Sequence, residues 1–372
     1  MQSKLKYLWA YSASSEDAVK WNEKQINRRR QMGYDIEGFC VTPQYLNGRH
    51  WSPYPDLEHQ WKVGYPPLIK MYRELNDALN GKDVLIHYNG ANICADIIKE
   101  IKQFKVYTCG DDPESTEILS KPVAAYYDIQ LVNNAACVDM YQSWGLSNSF
   151  FWPLGSLVTP EEVTMTDEKI LDIGNRNIKI VYIGERNQWK NDFFSVIEKK
   201  YREGQYWGKG WSNGYISKAD MDRLYRNSQI GVNVHNSIGP INFRLYELAA
   251  YGVMQICDNK KYLGNVFELD KEVVGFDSTD ECLGLIEHYL THVGEQRDIA
   301  LAARHKWLEF YTPDAVWKLL VSYVESIYQK KSDVDTDLVK LLDSQEKKYN
   351  IPNRLIEKVR NEHGGGRRIK RG

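Results

Sequence analysis

Apolar, β-branched runs alternate with amphipathic stretches along most of the 372 residues. That is the pattern of a parallel sheet whose strands are joined by crossover helices. In the first half, Leu5–Tyr11, Ile36–Val41, Val84–Tyr88, Lys105–Cys109 and Ile129–Val132 predict strands, and Glu16–Gln31 and Pro67–Leu79 predict helices. The segment Thr42–Tyr65 is rich in Pro, Trp, Tyr and His without period and predicts a long binding loop or flap. Around Trp152–Thr166 the pattern lapses at Pro153, Gly155 and Pro160, which predicts a linker. A second series then runs through Ile178–Ile183, Gln205–Trp207, Gln229–Val234, Val253–Cys257 and Val273–Phe276. Two Rossmann-like α/β halves facing across a cleft are therefore expected, with ligands at the carboxyl ends of the strands.

The predicted organisation is one Rossmann-like half over residues 1–160 and a second over 170–312. A closing helix over 313–330 follows, begun by Pro313, and then a basic, partly disordered tail over 331–372. The tail carries eleven Lys and Arg against seven Asp and Glu, and ends in Arg367, Arg368, Lys370 and Arg371. Hydrophobic residues make up 42% and charged residues 26%, enough for two cores. No apolar run is long enough to span a membrane, and the stretch after Met1 reads as a first strand and not a signal peptide. The six scattered cysteines form no Cys-x-x-Cys pair, which points to a reducing cytoplasm and argues against structural zinc. A net charge of −2 gives no general reason to expect nucleic acid.

The most informative stretch is Asn242-Phe243-Arg244-Leu245-Tyr246-Glu247-Leu248-Ala249-Ala250-Tyr251-Gly252, followed by an apolar strand and Asp258. Arg244 and Glu247 share one face of the predicted helix. An Arg near a helix start can meet phosphate oxygens, and a Glu one turn on can accept hydrogen bonds from two ribose hydroxyls. The same spacing also fits a surface salt bridge on an ordinary helix.

With its flanks, this stretch resembles the donor-binding region of GT-B glycosyltransferases, particularly the spore-maturation (CgeB-like) group. Ile180–Gly184 with Glu185-Arg186 resembles the first strand and glycine turn of that region. Trp207-Gly208-Lys209-Gly210-Trp211 resembles its turn near the nucleobase, and Gln229–His235 the strand before the Arg/Glu helix. Glu272–Asp277 and the later Ala303-Arg304 and Tyr311-Thr312 resemble its closing segments, and Gly110-Asp111-Asp112-Pro113 a feature of the first half.

The resemblance implies a GT-B fold and transfer of a sugar from a nucleotide diphosphate-sugar, bound as co-substrate with no further cofactor and no metal. No Asp-x-Asp metal signature stands out: Asp333-Val334-Asp335 fits the spelling but lies in the tail. Carried over by position, Glu247 would bind the ribose and Arg244 would lie near the phosphates. Gly184, Arg186 and Lys190 would hold the diphosphate, whose developing charge they would stabilise. Gly208, Trp211 and Asn233 complete the implied donor site, with Trp211 either stacking on the base or serving as core. Asp111, His87 and His235 are the candidate catalytic groups. Asp111 or Asp112 could instead cap a turn, and either histidine could be structural. One departure stands out: where retaining GT-B enzymes carry a second Glu, eight residues before the ribose-binding one, this chain has Gly239. The acceptor could be a glycan, a small molecule, a protein or a modified base in DNA. A GT-B-shaped protein that binds without transfer is the alternative from another class.

Overall fold

The computed structural model describes residues 3–45, 48–49, 54–328 and 338–348. Ser15 caps the first helix, accepting from the Ala18 N–H at 3.2 Å. Acidic Glu16 and Asp17 then sit in its first turn and Arg28, Arg29 and Arg30 in its last, each opposing the local end of the helix dipole. This helix, α1 (Glu16–Gln31), connects β1 (Lys6–Tyr11) to β2 (Asp35–Cys40). Helices α2 (Tyr54–Lys62) and α3 (Pro66–Leu79) lead to β3 (Val84–Tyr88), followed by β4 (Phe104–Cys109), β5 (Ile129–Val132) and β6 (Ser149–Phe151). The strand order is β2-β1-β3-β4-β5-β6, and the pairs from β2 through β5 are parallel. Every residue of β4 and β5 is buried, as expected of strands covered on both faces.

The second sheet repeats the scheme with β7 (Ile178–Ile183), β8 (Gln205–Trp207), β9 (Ser228–Asn233), β10 (Met254–Cys257) and β11 (Val274–Gly275). Its order is β8-β7-β9-β10-β11 and all four pairings are parallel. In both sheets the second strand lies outside the first and the third lies on its other side. Each sheet therefore has a topological switch point beside its first strand, the place where open α/β sheets bind ligands. Two helices of the second unit matter below: α4 (Gln188–Lys200) follows β7, and α5 (Phe243–Ala250) follows β9.

The chain divides into two compact units. One takes its described residues from Met1–Val132, Met140–Phe150 and Val321–Gly372, and the other from Asn133–Asp139 and Phe151–Leu320. The division falls within the long helix α6 (Pro313–Ile327).

Three sequence expectations change in the structure. The segment Thr42–Tyr65 is not one loop, because α2 occupies much of it, with Leu57 and Trp61 buried and the Trp61 indole donating to Asp96 at 2.9 Å. The expected linker Trp152–Thr166 packs into the second unit. The Trp152 indole donates to the Val316 carbonyl at 2.9 Å, the Trp307 indole donates to Ser156 Oγ at 2.8 Å, and Thr159 and Glu162 form a capping box. Part of the tail is a helix, α7 (Leu338–Glu346), that buries Leu338 and Leu342 and pairs Asp343 and Glu346 with Arg73. Asp333-Val334-Asp335 and Arg367–Arg371 lie outside the described residues.

Candidate donor site in the second unit

The carboxyl edge of the second sheet is shaped first by two glycines. At Gly184, just past β7, an added Cβ would lie 2.2 Å from Arg244 Nη1. At Gly208, past β8, φ is +125° and an added Cβ would lie 2.3 Å from the Gly184 carbonyl oxygen. Only residues without side chains let the two loops lie backbone to backbone here. The Gly184 N–H donates to the Trp207 carbonyl at 2.8 Å, and the Trp211 indole donates to the Gly184 carbonyl at 2.9 Å.

Arg244 enters this edge from the first turn of α5, whose start is capped by Asn242 accepting from the Leu245 N–H at 2.8 Å. Its Nε donates to Asn233 Oδ1 at 2.9 Å and Nη2 to the Val234 carbonyl at 2.9 Å, while Nη1 donates to the Ile183 carbonyl. The guanidinium thus joins the ends of β7 and β9, at the switch point itself. Tyr182 supports it from below, its ring 4.3 Å from the guanidinium carbon.

Lys190, in the first turn of α4, is 2% exposed and lies 3.3 Å from the Tyr182 hydroxyl. Burial, and behind it the Arg244 guanidinium, pull its ammonium down to about 8. Glu247, one turn beyond Arg244, is 7% exposed, and its side chain makes no hydrogen bond among the described residues. Burial pushes its carboxyl up to about 7, against the pull of Lys218 and Arg244. A buried ammonium, a half-buried guanidinium and a buried, unengaged carboxylate in one polar patch carry a large desolvation cost, and such sites are where function concentrates.

His235 follows β9 by two residues. Its Nδ1 lies 2.5 Å from Asp258 Oδ1, and its backbone N–H donates to Asp258 Oδ2 at 2.9 Å. Cys257 Sγ lies 3.9 Å from the same Nδ1. These three side chains offer ligand-type atoms within 4.8 Å of one another. The 2.5 Å contact is a hydrogen bond, too close for two ligands around one tetrahedral ion, and burial followed by the Asp258 charge pushes the Cys257 thiol well up. The set is therefore a His–Asp dyad beside a protonated thiol.

Several sequence-predicted residues are placed differently from their expected roles. Trp211 is core: it is 6% exposed and stacks on Tyr206 at 5.2 Å, so it offers no free face to a base. Asn233 is fully buried, with Oδ1 accepting from Arg244 and Asn242 and Nδ2 facing Gln255 Oε1 at 3.2 Å, so it positions Arg244 and does not face a ligand. Arg186 is held by Asn191 at 3.0 Å and Glu198 at 2.5 Å, over the Trp211 ring. That arrangement makes it a clamp on the Trp211 loop, a different placement from the diphosphate contact expected of it.

In the first unit, His87 is corrected from catalytic candidate to structural residue. It is fully buried, its Nε2–H donates to the Ala91 carbonyl at 2.8 Å, and Nδ1 accepts from the Tyr127 hydroxyl at 2.5 Å. Burial lowers its imidazole to about 4, so it stays neutral. Of the two aspartates after β4, Asp112 is fully buried and accepts from Thr116, Ser120 and Tyr141 at 3.0, 2.6 and 2.5 Å. Asp111 is exposed at the carboxyl edge of the first sheet. In the second unit, a side chain at position 239 would displace Asn134: an added Cβ would lie 1.7 Å from Asn134 Oδ1 and 3.0 Å from Ala136 Cβ.

Two contributors are not apparent from the sequence, Asp258 as the partner of His235 and Tyr182 beneath Arg244. An acidic residue directly after an apolar strand is the available signal for Asp258. Tyr182 carries no such signal, since a tyrosine inside a strand is ordinary core.

Residues 186–322 match a family model described as glycosyl transferase-like. No curated protein matches the chain. Solved structures similar to it include HepE from Anabaena in complex with UDP and glucose, at 10% identity, covering 87% of this chain and 100% of that one with a TM-score of 0.57. A glycosyltransferase from Rickettsia africae ESF-5 aligns at 13% identity over 86% of this chain and 98% of that one, with a TM-score of 0.57. Sucrose-phosphate synthase from Thermosynechococcus elongatus aligns at 9% identity over 86% and 98%, with a TM-score of 0.54. The chain therefore has the two-sheet, Rossmann-like GT-B fold, and its second unit carries a glycosyl transferase-like segment that includes Lys190, His235, Arg244 and Glu247.

Proposed function

We propose that this chain is a metal-independent glycosyltransferase that takes a sugar from a nucleoside diphosphate-sugar bound in the second unit. The observation that carries the reading is the grouping of Arg244, Lys190 and the unengaged Glu247 at the switch point of the second sheet. Glu247 accepts hydrogen bonds from the two ribose hydroxyls, and Lys190 with the remaining Arg244 N–H groups meets the diphosphate. As the bond between the anomeric carbon and the diphosphate oxygen breaks, its electron pair stays on that oxygen. Fixed cations then stabilise the charge that a metal would otherwise neutralise. The incoming acceptor oxygen bonds to the anomeric carbon and passes its proton to a general base.

The CgeB-like group is the subgroup we favour, on the order of its motifs along the chain. The cytoplasm is the compartment we favour, supported by six free cysteines. Among the described residues no helix is long and apolar enough to cross a membrane. HepE was solved with UDP, so UDP is the first nucleotide to try. Gly239, which stands where a carboxylate is expected, favours one second reading, a protein that binds nucleotide-sugar without transferring it.

The test is a thermal-shift screen of uridine, guanosine, thymidine, adenosine and cytidine diphosphates in EDTA, on wild type and Glu247→Ala. The proposal expects one nucleotide to raise the melting temperature of wild type and not of the variant. No shift with any of them on wild type sinks it.

A further inference from the structure

His235 at this edge also has hydrogen-bonding capacity unspent among the described residues. His235 is 1% exposed, and its Nδ1 faces an Asp258 oxygen at 2.5 Å. A carboxylate only accepts, so Nδ1 carries the proton and Nε2 presents a lone pair. That Nε2 is buried with no partner among the described residues, a condition that buried polar atoms rarely keep unless something else supplies the missing group. Burial lowers the imidazole against the opposing pull of Asp258, and Arg244 and Lys190 lower it further, so the ring stays neutral.

A neutral imidazole in this tautomer has nothing to donate from Nε2. It cannot serve a phosphate oxygen, which is also an acceptor, but it suits a hydroxyl. The loop that begins at His235 is the one in which the resemblance places a sugar-binding carboxylate, but the residue there is Gly239, and a side chain in its place would displace Asn134. That loop is otherwise tied down: Asn259 Nδ2 donates to the Ser237 carbonyl at 3.0 Å and the Gly239 carbonyl at 3.3 Å, and Asn134 Nδ2 donates to Ser237 Oγ at 3.0 Å.

We infer that His235, held by Asp258, accepts a hydrogen bond through Nε2 from a hydroxyl of the sugar being transferred, and so takes the part of the carboxylate missing at position 239. The inference rests on the donor-site reading above. Because Nε2 is shielded from solvent, the contact requires a small displacement of the side chains around it when the sugar arrives.

The experiment compares a nucleotide-sugar with its parent nucleotide by calorimetry, in wild type, His235→Asn and His235→Gln. The probes are UDP-glucose, UDP-galactose and UDP-N-acetylglucosamine against UDP, and GDP-mannose and GDP-fucose against GDP. Asparagine keeps a donor where Nδ1 stands, and so keeps the Asp258 bond, but it has no atom at the Nε2 position. Glutamine reaches that position with an amide oxygen. The inference expects His235→Asn to bind the parent nucleotide like wild type and to bind the preferred nucleotide-sugar about three- to tenfold more weakly, with glutamine restoring part of the loss. Equal weakening of nucleotide and nucleotide-sugar overturns it and marks His235 as a phosphate or structural residue. No change in either also overturns it. Failure of wild type to bind any nucleotide is a different result, and it sinks the donor-site reading itself.

Discussion

Donor binding should have a bell-shaped dependence on pH, with its limbs assigned to two named residues. In the proposed site Glu247 accepts from the ribose hydroxyls far more strongly when ionised than when protonated, and burial raises its carboxyl to about 7. Lys190 attracts the diphosphate only when protonated, and burial lowers its ammonium to about 8. The competent fraction is the product of the two and peaks midway, at about pH 7.5. From those two values, affinity should fall about sixfold at pH 6, where Glu247 is mostly protonated, and about sixfold at pH 9, where Lys190 is mostly neutral. The assay is calorimetric titration with a nucleotide-sugar, whose doubly esterified phosphates do not titrate in this range, unlike the terminal phosphate of a free diphosphate. Glu247→Gln should flatten the acid limb and lower affinity at the optimum by about 1.5 to 3 kcal/mol, the range for charge-assisted hydrogen bonds. Lys190→Arg should flatten the alkaline limb. Linkage gives an independent check on sign. A carboxyl raised from its ordinary value of 4.5 to about 7 favours the protonated fold, so its ionisation costs stability as pH rises through that window. Glu247→Gln should therefore be more stable than wild type at pH 8, by about 1 to 3 kcal/mol, and no more stable at pH 4. A flat affinity profile in wild type, or limbs that survive both substitutions, would refute the reasoning.

Gly208→Ala should lower stability by about 1 to 3 kcal/mol and weaken nucleotide binding, because its Cβ would meet the Gly184 carbonyl at 2.3 Å; denaturant melts and calorimetry check both. Arg244→Lys should also lose nucleotide binding, since an ammonium cannot span Asn233 and the Val234 and Ile183 carbonyls together. Buried His87, with its imidazole lowered to about 4, should make wild type lose stability as pH falls from 6.5 towards 4, where the unfolded chain gains a proton that the fold refuses. His87→Gln should shrink that acid loss while leaving nucleotide affinity unchanged, as melts at pH 7 and pH 4.5 with a titration at pH 7 would show.

The alternation of apolar runs made five of the six strands of the first sheet and all five of the second legible, because strands buried on both faces leave uninterrupted β-branched stretches such as Ile129–Val132, whereas the three-residue edge strand β6 is too short to show a pattern. Helix α1 was legible to its ends because Ser15 and the charge distribution mark them locally. Helix α2 was hidden, since Pro55, the aromatics and only two buried positions, Leu57 and Trp61, leave a weak period. Helix α7 was masked by the charge of its surroundings, although Leu338 and Leu342 carry the helical spacing.

At the site, residue order along the chain pointed to Lys190, Arg244 and Glu247 as candidates, and all three lie within the segment that matches the family model. What it could not fix was the partner of each side chain. Trp211 becomes core because Tyr206 and Arg186 cover its faces, and Asn233 becomes a support because Arg244 and Asn242 occupy its carbonyl. His87 and His235 are indistinguishable in sequence as histidines near strand ends. The structure separates them: His87 has both nitrogens engaged, and His235 has one without a partner among the described residues.

The measurement that tests the central claim most directly is phosphorus NMR of the preferred nucleotide-sugar incubated in EDTA with wild type, with and without a panel of glycan, small-molecule and protein acceptors. The account predicts release of the nucleoside diphosphate with the sugar transferred to one acceptor class, and slower release with Glu247→Gln at subsaturating nucleotide-sugar. A nucleotide-sugar that binds wild type and stays intact with every acceptor would contradict it and leave a binding protein on a glycosyltransferase fold.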